Sequence, residues 1–504
     1  MGLLSNFWRF YEKYPVIVAF AAVFPLLYFP LFYRLDYLPI LMWDESRQAI
    51  NTYEMIKSGN PFVTTFNDDR DHYNTKPPLL IWLQSLGWLI FKSKELALRF
   101  PSALAGLATC FTFIWFSNRA VKSAWAGALS AILLVSVDGF IDLHVTRTGD
   151  YDALLTLFTT LFIMHFFLFI RDEKVKNLGY FYLFLGLAIG AKAAAPLMFL
   201  PGLLLSVIFF KKFKWLLFQQ QTYKYSLIFL GLLIVFYGIR LSMDNGYAQA
   251  VWYNDFGGRF MTSIDNHTEV FEYYWLIIWD SKATFLITLM PLCLLSLFWS
   301  KEDNFKPIAY LLLNAFFFLL LISIAKTKIF WYAAPLYPLM ALAVGLSVFQ
   351  VLKKLATIKK QLAYAVGIIF MGYIVAFPYA QVIDKVIKNP YFDWENQETI
   401  YAPSHYLRKI YNQQIESTKF TFLHDNHYIP FYDIYIRLIN DNHKLEKISI
   451  QTEGNYILNK GDNFLLNESK VELDLRKEYQ IVILDSIATL KYGTILEKKL
   501  IMPE

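Results

Sequence analysis

Apolar runs close to 20 residues long recur through the first three-quarters of the chain, separated by short polar segments that hold most of the charge. Runs of this length suit helices that cross a hydrocarbon core. The first covers 14–33, after Arg9 and Lys13, and no small-residue cleavage site follows it. It therefore reads as a retained span, not a removed signal peptide. A long polar segment, 34–96, comes next. Further spans are predicted over 97–117, 123–141, 151–170, 178–190, 195–210, 225–242, 272–299, 306–323, 329–350 and 361–380, eleven with the first. The run 272–299 is too long to cross upright and must tilt or emerge. Beyond about 385 the pattern changes: FTFLHD, YDIYIRLI and YQIVILD alternate with polar turns and read as strands. The predicted architecture is thus a polytopic α-helical membrane domain over 1–384 followed by a small soluble α/β domain over 385–504.

Composition agrees with this pattern. Of 504 residues, 56% are hydrophobic and 17% charged, against about 25% charged in an ordinary soluble domain. The net charge of +6 is small, and because it is sorted by side it argues against a nucleic-acid partner, which would need one basic surface. Cys110 and Cys293 both fall inside apolar runs, outside any metal-binding spacing.

The loops alternate in charge. One set carries fifteen basic residues, among them Arg119, Lys122, Arg171, Lys211, Lys212, Lys301, Lys353 and Lys360; the other carries five, Arg147, Lys192, Arg259, Lys326 and Lys328. The positive-inside rule places the first set in the cytoplasm. The apolar segment 77–91 is then a short helix on or in the outer face, because one more crossing would invert every later loop. The C-terminal domain is expected outside.

That outer face gathers the ionisable residues: Asp44 and Glu45 in WDESRQA, Lys76 in YNTKPPL, Arg147, Asp150 and Asp152 in TRTGDYDALLTLF, Lys192 in LAIGAKAAAPL, His267, and Lys326 and Lys328 in AKTKIFWYAAPLYPL. Each has a plain structural reading. Asp150 or Asp152 can pair with Arg147 to join two helix ends, Lys192 can snorkel to the interface, and His267 can be a simple loop histidine. Together they favour a shared polar cavity, since charges at membrane depth normally mark a functional pathway or site. Cations suit a phosphate headgroup, and a nearby carboxylate can serve as general base on an acceptor hydroxyl. A proton-coupled transporter would spread its carboxylates through the bilayer and break helices near the midplane.

WDESRQAINTYEMIKSGNPFVTTFND, followed by KPPLLIWLQSLGWLIFKSKELALRFPSALAG, resembles the first outer loop of the bacterial glycosyltransferase family of the lipid A aminoarabinose transferase. The protein O-mannosyltransferases are more distant members of that fold group. TRTGDYDALLTLF, GLAIGAKAAAPL and KTKIFWYAAPLYPLMAL are similar to later motifs, in the same order, over about residues 1–350. The resemblance implies a GT-C membrane fold of about 11–13 transmembrane helices and an inverting transfer from a polyprenyl-phosphate sugar, undecaprenyl phosphate in a bacterial host. The acceptor would be lipid A, another glycolipid or a glycan at the outer face of the inner membrane. Export of a lipid-linked sugar is the alternative. Asp44 would be the catalytic carboxylate, with Glu45 beside it and Asp152 and Asp150 lining the site. Lys76, Arg147, Lys192, Lys326 and Lys328 would hold the donor phosphate. His267 and Asp152 would hold a divalent metal if one is used; no cofactor is otherwise implied. Two departures stand out. Thr75 replaces a glutamate often found before the lysine, and threonine is a poor divalent ligand beside a carboxylate or imidazole. A Thr-Lys-Gly stretch reads Ala191-Lys192-Ala193, a change expected to affect packing only.

Overall fold

The computed structural model describes residues 10–142, 144–263, 267–299, 302–388, 397–415, 419–425, 428–442, 447–452, 456–487 and 489–499. The chain divides into two compact units: Met1–Leu35 with Glu54–Tyr391, and Asp36–Tyr53 with Phe392–Glu504. Part of the predicted outer loop therefore groups with the C-terminal residues and not with the spans.

The first unit is built of helices. Seven among the described residues are long and apolar enough to cross a membrane: Pro15–Phe32, Lys94–Ala120, Asp152–Asp172, Gln220–Met243, Lys306–Ile324, Leu336–Ile358 and Lys360–Lys388. The other predicted spans correspond to Ala124–Val135, Val175–Lys192, Ala195–Phe209 and a broken pair, Tyr273–Lys282 and Thr284–Phe298, bent by 105°. The run that was too long to cross upright thus breaks at Ala283. Lys301, counted among the cytoplasmic charges, lies outside the described residues.

Local chemistry sets the helix ends. Ser93 and Ser123 accept the backbone N–H groups of Leu96 (3.1 Å) and Ala126 (3.3 Å), capping the helices they precede. Glu173 ends Asp152–Asp172 in a left-handed conformation. Helices Lys94–Ala120 and Ala124–Val135 approach so closely at Gly127 that a Cβ there would lie 2.3 Å from the Phe113 carbonyl oxygen. Small residues at such crossings are the usual means of packing helices in lipid. Asp152–Asp172 is buried along most of its length. Gln220–Met243 instead exposes Leu227, Leu232 and Ile234, a surface suited to lipid tails and costly in water.

Leu79–Ile90 forms a helix of 12 residues, about 18 Å long and too short to cross. It follows a two-stranded hairpin, β1 (Thr65–Phe66) and β2 (Asp69–Arg70). Where the broken pair bends, Lys282 pairs with Asp138 (3.2 Å) and with Asp142, and Lys385 meets the same two carboxylates at 2.8 and 3.3 Å. These pairs tie the bend to the last span.

The second unit is α/β. Strands β3 (Thr421–His424), β4 (Ser449–Thr452), β5 (Asn463–Leu466), β6 (Tyr479–Ile487) and β7 (Leu490–Lys498) form one sheet in the order β4-β3-β5-β7-β6. β3 runs parallel to β4 and β5, and the other pairings are antiparallel. FTFLHD and YQIVILD supply strands as expected, but YDIYIRLI does not: it lies in the helix Pro430–Asn442. Its buried residues Phe431, Ile434, Tyr435, Leu438 and Ile439 recur at the spacing of one helix face, a period stronger than the β propensity of its isoleucines and tyrosines.

Candidate functional site

In the second unit, Asp44 and Glu45 open the helix Asp44–Ser58, where acidic side chains complement the helix dipole. Glu45 is buried, and its Oε2 accepts the Leu41 N–H at 2.8 Å. It thereby fixes the turn leading into the helix. Trp43, just before Asp44, sits at φ 70°, a strained conformation for a bulky residue. Its carbonyl accepts the Tyr428 hydroxyl at 2.6 Å, and its ring lies 4.4 Å from that of Tyr428. Tyr435 and Tyr401 accept the N–H groups of Ile40 (2.9 Å) and Met42 (3.1 Å), and Tyr53 donates to Asp441 at 2.6 Å. The strained turn that presents Asp44 is thus held by tyrosines of the C-terminal segment.

In the first unit, three of the predicted residues, Lys76, Asp152 and Lys192, fall in one cluster with Tyr151, Tyr332, Arg259 and Asp255. Lys76 lies 5.3 Å from the centre of the Tyr151 ring, and the Tyr151 hydroxyl accepts Asn74 Nδ2 at 2.8 Å. Next to Tyr151, Asp152 is buried and takes Lys192 Nζ on both oxygens, at 2.6 and 2.7 Å. Lys192 also stands 4.8 Å from the centre of the Tyr332 ring, whose hydroxyl accepts Arg259 at 2.9 Å. Arg259 acts electrostatically on Asp255, as do Lys76 and Lys192. Asp255 Oδ2 accepts the Thr75 hydroxyl at 2.7 Å, and Thr75 precedes Lys76.

Electrostatics inside the cluster are mixed. Burial pushes the Asp255 carboxyl upward, while Lys76, the Thr75 hydrogen bond, Arg259 and Lys192 pull it back without cancelling the shift. Burial works against the Arg259 cation, but the Tyr332 and Tyr73 hydroxyls outweigh it, so its charge is held more firmly than an ordinary arginine's. Burial, then the neighbouring Lys326, lowers Lys328.

The remaining predicted residues take other places. Asp150 is buried, accepts the Thr148 hydroxyl at 2.6 Å and pairs with His144 at 3.3 Å. Arg147 is buried and donates to the carbonyls of Pro30 (2.7 Å) and Tyr33 (2.8 Å), which ties the end of the first span to this loop. Lys328 Nζ donates to the Ala325 carbonyl at 2.7 Å, whereas Lys326 is exposed. His267 is exposed, and its carbonyl accepts the Lys328 N–H at 3.0 Å. Among the described residues, neither His267 nor Asp152 belongs to a group of three histidine, cysteine or carboxylate ligands.

Sequence reasoning missed Asp255, Arg259, Tyr332 and His144. His144 adopts φ 62° and stacks on Trp331 with ring centres 3.7 Å apart; its position two residues before TRTGD was the available signal. Ala193 also corrects an expectation. It ends Val175–Lys192 at φ 43°, so alanine at this place alters backbone strain and not packing alone.

The sequence profile of the family described as "Dolichyl-phosphate-mannose-protein mannosyltransferase" matches residues 75–239. The undecaprenyl phosphate-alpha-4-amino-4-deoxy-L-arabinose arabinosyl transferase of Aeromonas salmonicida is 30% identical over 169 residues, covering 32% of this chain and 30% of that protein. The first curated relatives are matched over only 26–60% of their own length. In three dimensions, ArnT from Cupriavidus metallidurans, crystallised with undecaprenyl phosphate, aligns with a TM-score of 0.65 at 14% identity, covering 95% of this chain and 97% of its own. The apo oligosaccharyltransferase of Archaeoglobus fulgidus aligns with a TM-score of 0.53 at 12% identity, over 94% and 70%. The chain therefore has the GT-C membrane fold that its motifs imply.

Proposed function

We propose that this chain, a relative of the membrane glycosyltransferases by motif, by family profile and by fold, moves a sugar from a polyprenyl phosphate to an acceptor at the outer face of the inner membrane. The observation that carries this reading is the cluster of Lys76, Tyr151, Asp152, Lys192, Tyr332, Arg259 and Asp255. Its three cations suit a phosphate, and its tyrosine faces hold two of them by cation–π contact. The named ligand of the structural relative, undecaprenyl phosphate, fits that chemistry.

In the proposed reaction an acceptor hydroxyl attacks the anomeric carbon. The bond from that carbon to the phosphate oxygen breaks, and the lipid phosphate leaves with the electron pair. Asp44 takes the hydroxyl proton, a role carried by the WDESRQA motif. The lysines and Arg259 stabilise the negative charge on the leaving phosphate. Exclusion of water by a membrane-embedded cavity would limit wasteful hydrolysis of the donor. Lipid A, another glycolipid or a glycan is the acceptor class.

The test is transfer in vitro from a panel of radiolabelled undecaprenyl-phosphate sugars into a native lipid extract, with wild type beside Asp44→Asn. Label should reach an acceptor with wild type alone. Equal transfer by Asp44→Asn would remove Asp44 from the mechanism. No transfer from any donor that the folded protein binds would favour export of the lipid-linked sugar.

A further inference from the structure

The lysines of the cluster have a neighbour that the proposed reaction does not use. Asp255 lies on the segment after Gln220–Met243, and it places a carboxylate among the cations that would receive a phosphate. Carboxylate and phosphate are competing anions there. An aspartate free to turn onto the lysines would form an internal ion pair that the donor must break.

The structure shows what restrains it. Thr75 donates its hydroxyl proton to Asp255 Oδ2 at 2.7 Å. The backbone on either side of Thr75 is fixed to the same segment: the Tyr247 hydroxyl donates to the Thr75 carbonyl at 2.9 Å, and Asn254 Nδ2 donates to the His72 carbonyl at 2.9 Å. His72 in turn meets both oxygens of Asp244, at 3.0 and 3.1 Å. Two loops far apart in sequence are clasped so that one hydroxyl decides where one carboxylate sits. Lys192, meanwhile, already has Asp152 as its partner at 2.6 Å.

We propose that Asp255 is a competing anion poised beside Lys76, and that Thr75, by holding its Oδ2, keeps it from pairing with the lysine and so sets how strongly the site takes a lipid phosphate. Asp255 and Thr75 are positioning residues in this scheme: they act through the cations and touch no reacting atom. The inference rests on the phosphate-binding reading above. It also gives a purpose to the threonine that departs from the related motif. A hydroxyl at this position can restrain a carboxylate, whereas a glutamate would repel it.

The full-length chain in detergent micelles tests this with two probes, undecaprenyl phosphate and uncharged undecaprenol, each titrated for a dissociation constant. Thr75→Val keeps the side-chain shape and removes the donor. It should weaken phosphate binding about tenfold, the scale of one hydrogen bond to a charged group, and leave the alcohol unchanged. Thr75→Ser, which keeps the hydroxyl, should bind within about twofold of wild type on the same scale. Asp255→Asn alone should bind phosphate at least as tightly as wild type, because the competing charge is gone. In that background Thr75→Val should have no further effect, a non-additivity that loose packing would not produce. An unchanged Thr75→Val, the same tenfold loss in the Asp255→Asn background, or weaker phosphate binding by Asp255→Asn would each overturn the proposal. A wild type that binds phosphate no better than alcohol would instead refute the phosphate reading on which it rests.

Discussion

Replacing Asp152 by asparagine should destabilise the first unit, and the size of the effect follows from the geometry of one ion pair. Lys192 Nζ lies 2.6 and 2.7 Å from the two Asp152 oxygens, with side-chain exposures of 13% and 4%. A pair this buried gains little over a well-packed apolar pair, because desolvation offsets the attraction. Removing one partner is different, since it leaves the other charge in a poor solvent. That costs about 3–5 kcal/mol. The Tyr332 ring at 4.8 Å compensates part of this, roughly 1–2 kcal/mol. The expected net loss is therefore about 1–4 kcal/mol, centred on ~2.5 kcal/mol. At about 2 °C per kcal/mol for a large domain, Asp152→Asn should lower the melting temperature by roughly 5 °C. The assay is thermal unfolding of the purified protein in detergent, read by intrinsic tryptophan fluorescence at one scan rate. Asp152→Leu combined with Lys192→Met should recover most of the stability without recovering transfer. If Asp152→Asn melts with wild type, or if the double variant melts below both single ones, the pair is not the buried charge couple described.

Other outcomes follow from the same structure. Ala193→Gly should raise stability by about 1 kcal/mol, because Ala193 holds φ 43° where a Cβ is unfavourable; a fall in melting temperature would show that the backbone there is not strained. Because burial lowers Lys328 from the ordinary lysine value of 10.5, it loses its charge at a lower pH than a free lysine. Stability should therefore rise as pH climbs from the depressed Lys328 value toward 10.5, because the unfolded chain holds that proton longer, and this rise should be missing from the unfolding profile of Lys328→Met. Asp244 is held below the ordinary carboxyl value: burial alone would raise it, but His72, the Gly246 N–H and Arg70 outweigh burial. Its folded pKa being depressed, the stability it contributes is present above the unfolded carboxyl value and is lost as pH falls through the folded one. Acid unfolding should be less steep in Asp244→Asn, and an identical acid limb would argue that the clasp with His72 carries no free energy.

The apolar periodicity made the helical architecture readable, because length alone separates a spanning run from a core helix. The broken run at 272–299 was legible as a problem of length, although nothing local announced a break at Ala283. The helix Pro430–Asn442 was misread as a strand since its tyrosines and isoleucines favour extended chain, and only the spacing of Phe431, Ile434, Tyr435, Leu438 and Ile439 reveals the other period. At the candidate site, Lys76, Asp152 and Lys192 stood out as charges flanking apolar runs. Asp255 and Arg259 did not, because WYNDFGGRF looks like any interfacial loop until the fold clasps it to Thr75. Arg147 shows the opposite limit. Its charge is conspicuous in sequence, yet its contacts with the Pro30 and Tyr33 carbonyls satisfy a helix end, and no sequence pattern distinguishes that from a phosphate ligand.

The grouping of Asp36–Tyr53 with Phe392–Glu504 has a consequence for synthesis. Ile40 waits for Tyr435, 395 residues later, and Tyr53 waits for Asp441, 388 residues later. At about 5–20 residues per second a ribosome needs roughly 20–80 s to cover that gap, while the spans between are already leaving it. Until Tyr401 is made, the turn that presents Asp44 has none of the partners Tyr401, Tyr428 and Tyr435. A chain stalled or truncated before Tyr401 would carry the turn at Trp43 without the tyrosines that hold it.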